Sequence, residues 1–251
     1  EAVASQVDDV ATRVGILQAV SLNSIFEGDV EAVRTAATEG ERLSREAGDL
    51  YARHMMLLNL GGAALFGGDL AEAKSRYEEA LRLAYQVDDR IGQFYLLAAL
   101  GYLAAAAGRA RIAAQLLGAA DTIRAGAGAT VMAVLAPYVE MAQESAVGVL
   151  GETRYRTEFE SGRRLTRDAA VRLALDEPVT AAAEPHRRDG ALAKREDDVA
   201  RLVAEGLSNK QIAARLFISE RTVDSHVRSI LNKLGFNSRA QIAAWMASNS
   251  G

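Results

Sequence analysis

A repeat with a period of 40 residues runs through the first half of the chain and restricts its fold more than any other feature. The period is shared by three glycines and three aspartates, namely Gly28, Gly68, Gly108, Asp9, Asp49 and Asp89. Glycine ends a helix readily because it adopts a positive φ at low steric cost, and aspartate caps the N-terminus of a following helix. Helix pairs that recur at a fixed spacing, each burying a face only against the next pair, predict an α-solenoid.

Three segments align as the second helices of successive pairs. They are FEGDVEAVRTAATEGERL at 26–43, FGGDLAEAKSRYEEALRL at 66–83 and AAGRARIAAQLLGAADTI at 106–123. The first helices of the pairs are expected around 10–27, 50–66 and 90–107. The middle segment resembles the tetratricopeptide repeat, although its period of 40 residues exceeds the usual value of about 34. We therefore predict tetratricopeptide-like pairs with longer helices.

The repeat fades after residue 125, but two further stretches keep a helical spacing of apolar residues. These are residues 131–150 and 165–175, the second with Thr166 as its predicted N-cap. We expect them to close the end of the solenoid. Residues 178–191 contain two of the three prolines, break every periodicity and are predicted to be a linker. The predicted domains are a helical repeat domain over 1–177 and a small domain over 192–251.

The composition favours an all-α fold. Alanine and leucine dominate, only three prolines are present, and no stretch shows the strand-like alternation of apolar and polar residues. The absence of cysteine excludes a disulfide framework and any zinc site built on cysteine. The chain has neither an apolar run long enough for a membrane helix nor the pattern of a secretory signal, so we expect a cytoplasmic protein.

The charge is divided unevenly along the chain. The total is −4, but residues 186–251 contain 11 Lys/Arg and 7 Asp/Glu and carry +4, which leaves −8 on residues 1–185. Binding responds to the local field within a Debye length of about 10 Å. An acidic total is therefore compatible with a nucleic-acid partner for the small C-terminal domain.

The concave face of the solenoid is expected either to receive a protein, peptide or small-molecule effector or to serve as plain scaffolding. Five tyrosines either line a groove there or pack between the repeats, namely Tyr51, Tyr77, Tyr85, Tyr95 and Tyr102. His54 has no His, Asp or Glu three or four residues away, which favours a core or surface role over metal ligation.

The C-terminal domain is predicted to contain four helices. The first runs from about Lys194 to Glu205 and stops at Gly206; the second starts with the capping box of Ser208 and Gln211 and ends near Leu216. After a tight turn, the third is capped by Ser219, spans Glu220 to Leu234 and stops at Gly235. The fourth begins at a second capping box, Ser238 to Gln241, and ends near Ala247.

The third helix is amphipathic. Its apolar stripe comprises Val223, Val227, Ile230, Leu231 and Leu234. Its opposite face comprises Arg221, Asp224, Ser225, Arg228 and Asn232. A short helix, a brief turn and a longer helix with a polar, basic outer face are typical of a helix-turn-helix that enters the major groove. Amphipathicity alone favours a small bundle whose charged face is solvated, whereas the order of caps, turn and stripe favours the helix-turn-helix.

Residues 192–246 resemble the LuxR-type (NarL/FixJ-like) DNA-binding domain at many positions. The matching pieces are Arg195-Glu196, Gly206 to Lys210, Ile212-Ala213, Leu216, Ser219, Thr222-Val223, His226-Val227, Lys233-Leu234 and Ser238-Arg239. The resemblance implies that the third helix reads double-stranded DNA and that the domain binds as a homodimer. It favours this interpretation over a solvated bundle.

The same resemblance assigns candidate roles to individual residues. Base-reading candidates are Asp224, Ser225 and Arg228. Backbone-contact candidates are Ser208, Asn209, Lys210, Arg221, Thr222 and Lys233. Candidates for the dimer contact are Ile242, Trp245 and Met246, although Ile242 is equally explained as part of the core. His226 matches a position of the family as well, where a buttressing role and a binding role are both possible.

Two positions depart from the family pattern. Ala193 stands where the family usually has Thr, so the first helix lacks a side-chain N-cap. Asp224 stands where Lys is common, which replaces an attraction to DNA with a repulsion. We expect Asp224 to discriminate between sequences, either by accepting from a cytosine amino group or by orienting Arg221 or Arg228.

A LuxR-type domain behind tetratricopeptide-like helices resembles the C-terminal end of the MalT-like large ATP-binding regulators (LAL). The chain contains no P-loop motif, so no cofactor is assigned to these residues. Because the chain begins with Glu1 directly before a helical pattern, we expect it to be a fragment of a longer protein.

The predicted function is that of a sequence-specific DNA-binding transcription regulator whose repeats receive a signal. The alternative is a solenoid adaptor whose C-terminal bundle binds protein. We predict no enzymatic activity and no metal site, because three scattered histidines provide neither a catalytic arrangement nor ligand spacing.

Overall fold

The computed structural model describes residues 9–128, 130–131, 135–178, 192–234 and 239–249, and side chains throughout these ranges except at 232, 233, 248 and 249. Within them the protein forms thirteen α-helices and no β-strand. The fold is all-α, a helical solenoid followed by a helix-turn-helix domain. None of the described helices is long and apolar enough to cross a membrane.

Among the described residues, nine helices precede residue 178 and four follow residue 192. The first group is α1 (Val10–Glu27), α2 (Val30–Ala47), α3 (Leu50–Phe66), α4 (Leu70–Gln86), α5 (Arg90–Ala106), α6 (Ala110–Ala127), α7 (Ala136–Leu150), α8 (Glu152–Arg163) and α9 (Arg167–Ala174). The second group is α10 (Lys194–Ala204), α11 (Asn209–Leu216), α12 (Glu220–Leu234) and α13 (Arg239–Asn249). The predicted linker lies, apart from Pro178, outside the described residues.

Glycines and aspartates set most boundaries of the six repeat helices, although neither Asp89 before α5 nor Arg109 before α6 makes a side-chain cap hydrogen bond. The three repeat glycines Gly28, Gly68 and Gly108 have φ of 74°, 80° and 72°, the left-handed region that only glycine enters without strain. Asp29 and Asp69, each directly after a repeat glycine, cap α2 and α4, since their carboxylates accept from the amides of Ala32 and Glu72 at 3.0 and 2.9 Å.

The core lies between the helix pairs. The first helices α3 and α5 are buried around much of their circumference, whereas α4 buries one stripe that includes Tyr77 and Leu81. Tyr77 is 1% exposed and lies against Gly61, where a Cβ would sit 2.4 Å from its ring. This tyrosine packs between repeats, and the small residue opposite makes room for it.

The predicted helices after residue 125 are confirmed as α7 and α9, and Thr166 caps α9 by accepting from the amide of Ala169 at 3.2 Å. Helix α8 between them was not predicted. It has little apolar periodicity because it crosses α6 through glycines: a Cβ at Gly118 or Gly162 would lie 2.0 Å from a carbonyl oxygen of the other helix. This helix packs through backbone contacts, so it lacks the apolar stripe by which a packed helix is recognised in a sequence.

The four C-terminal helices enclose a core of their own, centred on Val199, Ile212, Val223, Ile230 and Ile242. As expected from Ala193, α10 has no side-chain cap hydrogen bond from its N-cap residue. Instead, the Ala193 amide donates to Glu196 Oε2 at 2.8 Å. The other oxygen of this buried carboxylate accepts from the Ser229 hydroxyl of α12 at 2.7 Å. Glu196 therefore caps α10 and joins it to α12. The fourth helix continues to Asn249, beyond its predicted end.

Candidate nucleic-acid interface

The turn between α11 and α12 is built from three residues of different character. Phe217 adopts the left-handed conformation with φ of 56° and is exposed, while Ile218 is buried in the domain core. Ser219 then caps α12, its hydroxyl oxygen accepting from the amide of Thr222 at 3.1 Å. This short connection holds α11 and α12 in the predicted helix-turn-helix order.

The predicted stripe of α12 faces the core. Val223 and Ile230 are fully buried, Val227 nearly so, and Leu231 and Leu234 pack against the same cluster. Burying one stripe fixes the rotation of the helix about its axis. The residues on the opposite side are thereby directed away from the domain.

Asp224 and Arg228 occupy the outward side of α12. Their side chains are 56% and 53% exposed, and Arg228 Nη2 donates to Asp224 Oδ2 at 3.2 Å. This i, i+4 contact matches one of the two predicted roles of Asp224, the orientation of Arg228. An exposed pair of this kind contributes little to stability, so both groups remain available to an incoming ligand.

Two other candidates on α12 are less accessible than predicted. Thr222 is 1% exposed and Ser225 is 8% exposed, and the Ser225 hydroxyl donates to the carbonyl of Arg221 at 3.0 Å. The helical wheel placed Ser225 on the outward face, but its short side chain turns back to its own helix. His226 is also buried, at 2% exposure.

The N-terminus of α11 presents the predicted backbone-contact residues. The capping box is confirmed: the Ser208 amide donates to Gln211 Oε1 at 2.8 Å, and Ser208 Oγ accepts from the Gln211 amide at 3.3 Å. Ser208 and Lys210 are exposed and Asn209 is half-buried. Free amides at a helix N-terminus attract anions.

Arg239 of α13 adds to this surface and was not among the predicted site residues. Its Nη1 donates to Asn209 Oδ1 at 2.7 Å, and its Nη2 donates to the carbonyl of Leu207. The guanidinium therefore fixes the Asn209 side chain and brings a positive charge to the start of α11. Arg239 matches a position of the LuxR-type pattern, and this match could have marked it as a site residue. The pattern does not show that Arg239 contacts Asn209.

The candidates for the dimer contact lie in or against the core of the C-terminal domain. Ile242 and Met246 are buried at 0% and 8% exposure within the domain core, and Trp245 is half-buried against it. The core role considered for Ile242 thus agrees with its burial. The side chain of Lys233 lies outside the described part of the protein.

The sequence of the C-terminal domain matches a known family. Residues 190–246 match the family model described as bacterial regulatory proteins, luxR family. The C-terminal domain is a LuxR-type helix-turn-helix domain. The match covers this domain and leaves the solenoid outside it.

Relatives of the LuxR-type domain occur in several regulators. An HTH-type transcriptional regulator of Mycobacterium tuberculosis is 55% identical over 58 residues, which is 23% of this chain and 7% of that protein. The nitrate/nitrite response regulator protein NarL of Escherichia coli is 40% identical over 93 residues, 34% of this chain and 43% of NarL. The transcriptional activator DevR/DosR of M. tuberculosis is 39% identical over 85 residues, 34% of this chain and 39% of the activator. This chain thus spans less than half the length of each relative, and no solved structure matches it.

The LuxR-type domain packs against the first half of the solenoid. The Thr222 hydroxyl donates to Asp49 Oδ2 at 2.8 Å, and the Arg221 guanidinium lies 4.7 Å from the centre of the Tyr51 ring. Arg195 of α10 donates to the carbonyl of Ala47, the last residue of α2, at 2.8 and 3.1 Å. Two backbone-contact candidates, Arg221 and Thr222, are therefore engaged by the solenoid.

Asp49 is the most buried charge at this contact. Its Oδ1 caps α3 by accepting from the Ala52 amide at 2.8 Å, while Oδ2 accepts from Thr222. Burial raises the pKa of Asp49 above its usual value, although both hydrogen bonds oppose that shift. A single carboxylate thus begins a solenoid helix and holds α12.

His54 and Asp89 form a second polar contact inside the solenoid. His54 is fully buried and its Nε2 donates to Asp89 Oδ2 at 3.0 Å. Burial raises the pKa of Asp89, but the hydrogen bond from His54 and the charges of His54 and Arg221 outweigh it, so the pKa lies below its usual value. The described residues contain no cluster of three or more His, Cys, Asp or Glu that would suit a metal ion.

Proposed function

We propose that this chain is a sequence-specific transcription regulator that binds double-stranded DNA as a homodimer. The observation that carries the proposal is α12, whose apolar stripe is buried in a LuxR-type domain while Asp224 and Arg228 project outward. A helix presented in this way fits a major groove about 12 Å wide. Asp224 and Arg228 would read bases, and Ser225 would join them only after its hydroxyl leaves the Arg221 carbonyl.

The proposed contacts to the DNA backbone lie on both helices of the motif. Ser208, Asn209 and Lys210 at the start of α11 would meet one phosphate group through side chains and amides. Arg221, Thr222 and Lys233 of α12 would flank the groove. The present contacts of Arg221 and Thr222 with the solenoid require that the domain leaves the solenoid before all of these groups reach DNA.

In the proposed division of labour, residues 1–177 receive a signal or partner, residues 178–191 connect, and residues 192–251 bind DNA. The dimer would use the exposed part of Trp245, with Ile242 and Met246 supporting it from the core. The proposal extends to a cytoplasmic regulator of the MalT-like large ATP-binding kind, of which this chain would be the C-terminal portion.

Duplex binding at several salt concentrations tests this proposal. Labelled duplexes enriched from a random pool are titrated with the chain by fluorescence anisotropy. We expect affinity to fall as salt rises, with a log–log slope of about −0.9 for each phosphate contact. Arg228→Ala should weaken specific binding by about 1–3 kcal/mol if the guanidinium contacts a base.

Arg111→Ala is the matched control, because Arg111 is an exposed arginine of α6 on the solenoid. It should leave duplex affinity unchanged. Affinity that is independent of salt, or that survives Arg228→Ala, would contradict the proposal. Capture of a protein partner that resists nuclease treatment, with no duplex binding at low salt, would favour the adaptor instead.

A further inference from the structure

A cavity of about 140 Å³ opens where the LuxR-type domain meets the solenoid. Its walls come from α1, α3, α4, α5 with Asp89 at its start, and Leu135 before α7, and among the described residues the C-terminal domain contributes Arg221. Most of the wall is apolar, including Leu22, Ile25, Met55 and Leu58. The cavity uses helices of different repeats, so it exists only because the solenoid brings them together.

The size and walls of the cavity indicate the body of a ligand. Cavities of about 150 Å³ lined by aliphatic and aromatic side chains bind molecules as small as benzene. A six-membered ring or an aliphatic group of similar bulk therefore matches this volume. Neither a peptide helix nor an oligosaccharide would enter it.

The polar groups at the cavity indicate the head group. Asp89 provides a carboxylate and Tyr51 provides a ring face, and both attract cations. Arg221 already supplies a cation there, with its guanidinium carbon 4.7 Å from the Tyr51 ring centre. Asp89 also contacts the fully buried His54, whose Nε2 lies 3.0 Å from Asp89 Oδ2. An anionic ligand would meet Asp89 and the nearby Asp49.

The Arg221 guanidinium occupies the cation position of the cavity, and a ligand cation can replace it there. The Arg221 side chain reaches the cavity from α12, a helix that belongs to a different domain from Tyr51 and Asp89. The contacts that hold α12 and α10 to the solenoid also include the Thr222 hydrogen bond and the Arg195 hydrogen bonds to one carbonyl. A competitor for the cation position therefore removes one of the contacts that join the two domains.

We propose that the cavity binds a small organic ammonium ion with an apolar body, and that its ammonium group replaces Arg221 over the Tyr51 ring, pairs with Asp89 and so releases α12 from the solenoid. The effect of the ligand on DNA binding rests on the proposed DNA-binding function. The identity of the ligand is inferred from the cavity alone. Because binding and release are linked, the cation and DNA each favour the same open arrangement and strengthen each other's binding.

Three probes of nearly equal size and shape separate the chemistry of the site. Calorimetric titration of the whole chain at pH 7 compares 2-phenylethylamine, which is a cation, with neutral 2-phenylethanol and anionic 3-phenylpropanoate. We expect the amine to bind about 10-fold more tightly than the alcohol, a difference of about 1.4 kcal/mol, and the carboxylate to bind least. Equal binding of amine and alcohol, or no binding of the amine at millimolar concentration, would overturn the proposal.

Two variants place the cation. Asp89→Asn should remove the preference for the amine over the alcohol, and Arg221→Ala should tighten the amine because the competing guanidinium is gone. If Arg221→Ala instead abolishes binding, or 3-phenylpropanoate binds best, the site holds an anion through Arg221 and the proposal is wrong. Ala99→Leu, which extends a side chain into the cavity wall, should weaken amine and alcohol alike, and circular dichroism checks that each variant folds.

A final titration measures the consequence for DNA. The amine at saturating concentration should raise the affinity of the chain for its selected duplex, and should have no effect in Asp89→Asn. Ligand binding with an unchanged duplex affinity would contradict the release of α12. If the chain binds no duplex under any condition, the proposed DNA-binding function fails, while the calorimetric comparison still decides the ligand.

Discussion

The aspartates at the three equivalent positions of the repeat have acquired different roles. Asp9 only caps α1, where it accepts from the amide of Thr12 at 2.8 Å. Asp49 caps α3 and also accepts from Thr222 of the LuxR-type domain. Asp89 faces His54 and the cavity. The carboxylate that begins a helix in one repeat therefore serves interdomain contact or ligand attraction in the next two.

Asp224 is the residue at which the LuxR-type pattern is broken, and its exposed pair with Arg228 makes a specific prediction. Asp224→Lys removes the partner of Arg228 and reverses a charge on the groove-facing side. We expect random duplexes to bind more tightly, by about 1 kcal/mol for one added phosphate attraction, with the salt slope increased by about 1. Preference for the selected duplex should fall, since a free Arg228 is no longer oriented. Anisotropy titrations against both duplex types measure the two effects.

Glu205→Lys is the control for Asp224→Lys. It makes the same change in net charge on an exposed side chain of the same domain, at the end of α10. It should leave the ratio of specific to random affinity unchanged. A ratio that is likewise unaffected by Asp224→Lys would make Asp224 irrelevant to sequence recognition.

Helices and their ends were largely predictable from local chemistry, because caps, glycine stops and apolar stripes depend on residues within one or two turns. The Ser208 capping box and the Thr166 cap illustrate this. Helix α8 was not predictable by those signals, since it packs through backbone at Gly162. The role of Glu196 was equally hidden: its hydrogen bond to Ser229 spans 33 residues and two helices.

The contact between α10 and α12 through Glu196 predicts the stability of the C-terminal domain. Glu196→Ala leaves the buried Ser229 hydroxyl without this partner, which costs about 1–3 kcal/mol, and it also removes the hydrogen bond of the more exposed Ala193 amide. We expect a loss of about 2–3 kcal/mol in the free energy of unfolding. Urea denaturation followed by Trp245 fluorescence measures it, since Trp245 lies in α13 and the chain has a single tryptophan.

Glu205→Ala provides the matched comparison for Glu196→Ala. Its side chain is 52% exposed and 3.9 Å from Arg215, so the loss should stay within about 0.5 kcal/mol. Equal losses in the two variants would show that Glu196 does not join the helices.

At the scale of the whole molecule, the two oppositely charged parts of the chain pack against each other. The acidic repeats and the basic C-terminal domain are in contact, and the contact uses Asp49, Tyr51 and the cations Arg195 and Arg221. The sequence could not reveal this arrangement, because Asp49 and Thr222 are 173 residues apart and no local pattern links them. Only folding brings the α2–α3 corner of the solenoid against α12.

The contact between Tyr51 and Arg221 predicts that the solenoid restrains DNA binding. Tyr51→Ala removes the ring that contacts the Arg221 guanidinium. That interaction is worth about 0.5–1 kcal/mol at an exposed site, and Tyr51 itself lies outside the DNA-binding helices. Since apparent affinity scales with the fraction of molecules in the competent state, we expect duplex affinity to rise by about 2–5-fold.

Tyr85→Ala is the matched control, because Tyr85 also contacts an arginine, Arg167 at 5.1 Å, but within the solenoid. Anisotropy titrations of both variants decide the matter: a rise for Tyr51→Ala alone supports restraint by the solenoid, whereas unchanged or weaker duplex binding contradicts it.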